Sequence, residues 1–488
     1  MCNMVRIVKS SEIDYLPGEM DKLWLYNGLD CCITHEVFQK LEPDLDEQTR
    51  KIYELEKALQ GPVMEMKLRG VRIDANKRAA VHAMFEGELD KIAGDLKKFL
   101  VGASLVDDKF NWRSLKQLGA LLHDTLRVPR VAGGSLDREA LERLQTYLVA
   151  QPIVNCILAL RDLAIKIGVL ETELDPDGRL RTNYNIAGTV TGRFSSNQTD
   201  FGTGTNLQNI EKRLREIVVA DPGMKFAQLD AEQGESRCVG AIEWNLFGSG
   251  TYLDACESGD LHTSVCRMAW PEREWTGVLE TDRLVAERPF YRQHSYRHMA
   301  KVLGHGTNYN GTPRTMAEHT KIDQKIIAQF QAIYFNGFPA HRLWHSHVAK
   351  EISGTGRLVS LFGRRRDFFG RLTDAATIRE AIAYDPQSTL GDLLNSGMLK
   401  VWRENRVQLL LQIHDAILVQ LPNELEEEII PWLRRTIEVP LQLSRGRLLR
   451  IPFEVKTGWN WNDYSENNVD GLKKYNGHDT RKRTEEVT

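Results

Sequence analysis

Arg297-His-Met-Ala-Lys301-Val-Leu-Gly-His305-Gly306-Thr-Asn-Tyr309 is the stretch from which the rest of the chain can be read. Arg297, Lys301, His305 and Tyr309 recur every four residues, and on a helix each such step returns almost to the same face. One face then carries two cations, an imidazole and a phenol in order. Two cations a turn apart suit a polyphosphate, and the rings beyond them suit a sugar and a base, so the face could hold a nucleoside triphosphate end to end. Gly306 would let another group approach the helix backbone closely. The competing reading is a solvated basic face, and Gly304 and Gly306 would each cost a helix about 1 kcal/mol.

Two acidic segments flank this helix in sequence. Phe226-Ala-Gln-Leu-Asp230 reads as a short buried strand with a carboxylate at its end, followed by a helical pattern through Cys238-Val-Gly-Ala-Ile-Glu-Trp. Val407-Gln-Leu-Leu-Leu-Gln-Ile-His414-Asp415-Ala-Ile-Leu-Val-Gln-Leu-Pro422 reads as two apolar runs joined by a polar pair, a hairpin with Asp415 at its tip. Two aspartates at strand ends can share two divalent ions. Taken singly, Asp230 also fits a helix N-cap and Asp415 an ordinary turn residue.

In this order the three segments resemble motifs A, B and C of the family A DNA polymerases. Other stretches agree. Thr191-Gly-Arg193-Phe-Ser195-Ser196 with Asn206-Leu-Gln208-Asn209-Ile210 resembles the palm segment before motif A, and Asp260-Leu-His262 resembles the fingers histidine motif. Leu361-Phe-Gly-Arg-Arg-Arg366 and Pro386-Gln387-Ser-Thr resemble the stretches around motifs B and C, and 64–74 and 110–118 resemble thumb segments. The likeness runs from about Tyr26 to about Asp463.

The resemblance implies an α+β, right-hand polymerase fold of thumb, palm and fingers with an antiparallel palm sheet. It divides the chain into an exonuclease remnant (1–50), a thumb (51–172), a first palm part (173–240), fingers (241–367), a second palm part (368–464) and a polar tail (465–488), the tail expected to be disordered. It implies a template-directed DNA polymerase with primer–template DNA and dNTPs as partners. Two Mg²⁺ ions, with Mn²⁺ as a possible substitute, would bind Asp230, Asp415 and the Ala231 carbonyl. Arg297 and Lys301 would take the triphosphate, Lys301 also protonating the leaving pyrophosphate, and His262 and Gln233 would assist at phosphates and sugar. His305 would lie against the incoming sugar and base, with Tyr309 and Gly306 near the templating base. Arg193, Gln387 and His414 would touch the primer–template near the new pair, Gln208 and Asn209 the duplex backbone or minor groove, and Arg237 the primer strand. Glu235 would crowd the ribose 2′-hydroxyl, which favours DNA over RNA synthesis. Retention of Asp230, Lys301 and Asp415 together argues against a catalytically dead relative.

The chain departs from the family's pattern in places. His305 stands where a Phe or Tyr is usual, Ala416 where a Glu follows the motif C aspartate, Ala231 where a Tyr is usual, and Ala383 where an Asn is common. Arg213 or Arg215 is the candidate for a further triphosphate arginine. His305 together with the short chain points to a bacteriophage-type enzyme. Tyr26-Asn-Gly-Leu-Asp30 resembles the third exonuclease motif, but the Glu12-Ile-Asp14 stretch does not match an Asp-x-Glu strand, so no intrinsic proofreading is expected. A separate exonuclease chain or a processivity factor is an expected further partner.

Composition permits this reading without pointing to it. Lys and Arg number 64 against 67 Asp and Glu, a net charge of −3, so basic groups must act locally rather than through the whole surface. Seven cysteines without a Cys-x-x-Cys pair argue for reduced thiols inside a cell, hence a cytoplasmic setting, and against a zinc site or disulfide framework. No apolar run is long enough to suggest a membrane span. The His341, His345, His347 cluster tempts a metal reading, but without an acidic or cysteine partner at ligand spacing a helix surface is the expectation.

Overall fold

The computed structural model describes residues 20–199 and 202–476; Glu12, Asp14 and the basic run at 481–483 lie outside them. Helices α1 (Met20–Leu41), α2 (Glu47–Arg69), α3 (Ala75–Gly102) and α4 (Gln151–Glu171) open the chain. Then come strand β1 (Met224–Ala231) and helices α5 (Gly234–Phe247), α6 (Thr251–Glu257), α7 (Leu261–Ala269), α8 (Tyr296–Asn308), α9 (Gln324–Gly337), α10 (Ala340–Thr355) and α11 (Ala375–Glu404). Strands β2 (Gln408–Ile413) and β3 (Ala416–Pro422), helix α12 (Glu426–Ile437), and strands β4 (Phe453–Gly458) and β5 (Lys473–Lys474) complete the frame. Shorter helices and hairpins connect these elements.

The five strands make one antiparallel sheet in the order β2-β3-β1-β4-β5. Because side chains alternate across a strand, the sheet feeds two cores. Phe226, Leu411 and Leu418 join a core built on Phe85 and Leu100 of α3 and Ile157 and Leu160 of α4. Ala227, Leu229, Ile417, Val419 and Val455 point the other way, against Leu394 and Met398 of α11 and Ile430 and Leu433 of α12. A third core, mostly helical, packs Ile242, Tyr252, Met299, Leu303, Phe330, Tyr334 and Trp344. Helix α5 bridges the last two: Cys238 and Ala241 enter the sheet core, Val239 and Ile242 the helical one. An ion-paired staple joins α2 to α11, with Arg364 donating to Glu56 at 2.5 Å and to the buried Asp392 at 2.8 Å.

Two expectations change here. The segment after 465 is not simply a loose tail: it returns to the sheet, and β5 pairs with β4 through Lys456↔Lys474 and Thr457↔Lys473. A short strand of two lysines carries no apolar alternation, so its order comes from the sheet edge it joins. Second, the histidines of α10 are not a surface cluster. His341 is fully buried and His345 is 9% exposed, while His347 stands edge-on to Phe247. Helix α1, by contrast, leaves Leu25, Leu29, Ile33, Val37 and Leu41 exposed.

Candidate active site

The register of β3 on β1 sets Ala416 opposite Asp230, so the residue before Ala416, Asp415, lies at the end of β1. The Ala231 N–H donates to the Asp415 carbonyl at 3.1 Å and fixes that approach. Asp415 sits in a two-residue turn whose first member, His414, has φ of 51°. Gln233, two residues past Ala231, has φ of 53° and caps α5. A left-handed non-glycine residue costs roughly 1–2 kcal/mol, and two of them flanking the paired carboxylates are strain of the kind that collects at functional sites.

Both carboxylates hold their protons more tightly than usual. Burial, then the neighbouring Asp415 and Glu454, push Asp230 up to about 6 against the pull of Lys456 and Lys301. Burial raises Asp415 too, helped by Glu235 and opposed chiefly by Arg193. Arg193 donates to Asp415 at 2.8 Å and to Glu235 at 2.6 Å. Among the described residues none donates a hydrogen bond to the Asp230 carboxylate, and the Gln233 Oε1 is buried without a partner. A carboxylate open to the cleft beside a second, half-buried one, with no hydrogen bond donated to the first, is a donor set that fits a hard divalent cation.

Helix α8 forms the facing wall. Ser295 caps it by accepting from the His298 N–H at 3.1 Å. Met299, Leu303 and Thr307 bury one side while Lys301 and His305 face out. Arg297 is held by Asp260, accepting at 3.0 and 3.3 Å, and Asp260 also caps α7 through the His262 and Thr263 N–H groups. Burial first, then Arg297, lowers His262 to about 4, so it is neutral near pH 7. His305 and Tyr309 meet edge to face at 4.9 Å, and the Tyr309 hydroxyl donates to Glu235.

Asp230, Gln233, Glu235, His262, Arg297, Lys301, His305 and Asp415 thus line one cleft of about 740 Å³. Glu454 and Lys456 on β4, Lys474 on β5 and Arg283 line it as well, and sequence reasoning passed over them. The signal for Glu454 was available only through register: it lies opposite Asp230 across the β4–β1 pair, and Lys474 donates to it at 2.6 Å.

Several expected contacts fall elsewhere. Gln208 turns inward, its amide donating to Gln412 at 2.9 Å. Arg237 is buried and serves main-chain carbonyls of Glu232 and Cys256 at 3.1 and 3.0 Å. Both long polar side chains satisfy acceptors inside the protein. Gly306 does admit a close neighbour, but the neighbour is the chain's own Met316, whose Cε would lie 2.6 Å from an added Cβ. Arg213 pairs with Glu88 and does not line the cleft, while Arg215 lies over Trp461, outside the cleft lining but near enough to Asp230 to feel its charge. Asn209 and His414 are exposed, Gln387 is half-buried, and Ala231 is buried beneath the strand end.

Residues 81–463 match the family model for DNA polymerase family A. The chain is 28% identical over 456 residues to the thermostable DNA polymerase I of Thermus filiformis, covering 87% of this chain and 50% of that protein. It is 26% identical over 457 residues to DNA polymerase I of Deinococcus radiodurans, covering 88% and 44%. The chain therefore spans about half the length of the curated relatives it matches. Among solved structures, the POL domain of Pol1 from M. smegmatis, in complex with DNA primer-template and dNTP, superposes with a TM-score of 0.66 at 23% identity, over 83% of this chain and 69% of that one. With the α+β right-hand polymerase fold shared and a family match across most of the sequence, the chain belongs to DNA polymerase family A.

Proposed function

We propose that this chain is a template-directed DNA polymerase that extends a primer 3′ end with dNTPs by two-metal nucleotidyl transfer. The observation that carries the reading is the convergence in one cleft of the Asp230–Asp415 pair with Arg297 and Lys301. Asp230, Asp415 and the Ala231 carbonyl would hold two Mg²⁺ ions, or Mn²⁺ in their place, which when bound activate the primer hydroxyl and steady the leaving pyrophosphate. Arg297, held in place by Asp260, and the exposed Lys301 bind the triphosphate, and Lys301 gives a proton to the departing pyrophosphate. Neutral His262 donates a hydrogen bond to a phosphate oxygen from the adjoining helix, and Gln233 assists with its otherwise unpartnered amide. His305 lies along the sugar and base.

Glu235, braced by Arg193 and Tyr309, forms the wall against the sugar's C2′, and the template strand passes the Tyr309 end of α8. Asn209, Gln387 and His414 contact the primer–template, and Arg193 reaches it on leaving Asp415. We read the α3–α4 core as the thumb, the sheet with α11 and α12 as the palm, and the helices of the third core as the fingers. The relatives named above are bacterial, and of the features behind the bacteriophage-type reading the site itself supplies His305. Primer extension with purified protein, Mg²⁺ and either dNTPs or rNTPs tests the proposal: extension with dNTPs is expected, and preferential extension with rNTPs would replace it with an RNA polymerase.

A further inference from the structure

The two buried histidines of α10 have no place in the chemistry above, yet both face the last residue of the nucleotide-side helix. The His345 Nε2 lies 2.8 Å from the Asn308 carbonyl, and the His341 Nε2 lies 2.9 Å from the Asn308 Oδ1. A carbonyl only accepts, so His345 donates from Nε2. The Asn308 amide is fully engaged, with Nδ2 donating to the Tyr252 hydroxyl at 2.8 Å and Oδ1 accepting from the Tyr334 hydroxyl at 2.9 Å. As oriented, the Oδ1 also accepts from His341. The opposite ring nitrogen of His341, Nδ1, is 2.7 Å from a carboxyl oxygen of Glu243, an ion-pair contact out of hydrogen-bond alignment, so that Nδ1 and both Glu243 oxygens are buried without a hydrogen-bond partner. Glu243 and His341 are both 0% exposed, and Asn308 is 2% exposed.

Such a network is a poor source of stability. Taking a carboxyl and an imidazole out of water costs several kcal/mol, and apolar replacements of similar volume are often neutral or better. What a buried polar cluster does supply is direction, since in a medium without water its members can be met only by one another. Here the direction is specific. Glu243 and Glu235 both belong to α5, the helix that begins just beyond Asp230. Glu235 takes the hydroxyl of Tyr309, and Glu243 reaches the adjacent Asn308 through His341. Two consecutive residues at the end of α8 are thus tied to the helix that follows the metal-side carboxylate.

We propose that Glu243 and His341 form a positioning relay that grips Asn308, holds Tyr309 against Glu235 and so sets the sugar-selecting wall of the cleft. None of the three reaches the nucleotide. The inference rests on the reading of Glu235 as that wall, and the experiment separates the two. Asn308→Leu keeps the side-chain volume and leaves the Glu243–His341 and Tyr252–Tyr334 pairs in place. It should lower the ratio of kcat/KM for dNTP over rNTP by roughly tenfold, the size of one lost buried hydrogen bond. It should also speed hydrogen exchange at the amides of 305–310 while primer–template affinity stays as in the wild type. Glu243→Gln keeps a polar group of the same shape against Nδ1 and should keep both readouts near wild type, whereas Glu243→Leu should move both. This pair decides the matter if Asn308→Leu does not fold. Glu235→Ala is the control on the underlying reading. If it leaves the ratio unchanged, the sugar wall is wrong and the relay is judged on exchange alone, where faster exchange supports it. If Glu235→Ala relaxes the ratio while Asn308→Leu and Glu243→Leu keep wild-type selectivity and wild-type exchange, the relay is overturned.

Discussion

The two ends of helix α8 are built on opposite principles. Toward its start, Lys301 is exposed and Arg297 is half-buried between two acids, hydrogen-bonded to Asp260 and more loosely paired with Glu287, both cations lining the cleft. At its end, Asn308 and Tyr309 are fastened to α5, α6, α9 and α10 by neutral and acidic side chains that are almost wholly out of water. On the proposed reading the open end takes a ligand's charge, which requires side chains that can still change partner. The closed end is arranged to stay where it is. A helix that must both bind and hold register divides the tasks along its length.

That contrast can be broken in several places. The largest effect belongs across the cleft: Asp230→Ala and Asp415→Ala should each abolish extension while primer–template binding, carried mostly by phosphate contacts, is nearly unchanged. Extension by either variant at the wild-type rate would remove the partner that the open end is said to face. Lys301→Ala should lower kcat by roughly 10²–10³-fold, the loss of one preorganised cation at a developing charge, with little change in melting temperature. A large drop in melting temperature would mean the open end is structural after all.

The closed end should instead declare itself in stability against pH. Burial holds His345 down at about 4, below the ordinary 6.5 of an unfolded chain. A depressed histidine leaves stability whole above pH 6.5, and stability is lost as pH falls from there toward 4, by about 3 kcal/mol for this group. His345→Gln should flatten that part of the Tm-against-pH curve, and an unchanged slope would show that His345 is not the group responsible. The smallest change is His305→Tyr, at the boundary between the two ends. In the family this position governs acceptance of 2′,3′-dideoxynucleotides, and the variant should terminate chains a few-fold more readily; equal termination by both proteins would move His305 off the sugar.

The open end was legible in the sequence and the closed end was not. Arg297, Lys301 and His305 are related by helical spacing, a local property that needs no tertiary knowledge. Asp230 and Asp415 were found because a strand end and a hairpin tip are local patterns too. Long helices such as Ala375–Glu404 rest on the same local periodicity. Glu454, by contrast, enters the cleft through strand register, and Glu243, His341 and Asn308 meet only because three helices pack. Buried polar side chains are the hardest to read, since a histidine on a helix looks the same in sequence whether it faces water or a carboxylate. The inward turns of Gln208 and Arg237 belong to the same class: residue type announced a polar contact, and packing chose a partner inside the protein.

The order of the strands also has a consequence for how the molecule is made. Strand β1 carries Asp230, yet both of its sheet neighbours, β3 and β4, are encoded after the entire helical region that contains α8. On a ribosome that region emerges while β1 still has two unpaired edges, and non-local pairing is the slow kind. The helix that would greet a nucleotide is therefore complete before the site of chemistry exists. A nascent chain stalled short of residue 415 lacks Asp415 and has no sheet to present Asp230, so the two carboxylates can meet only once the strands that follow α11 have been made.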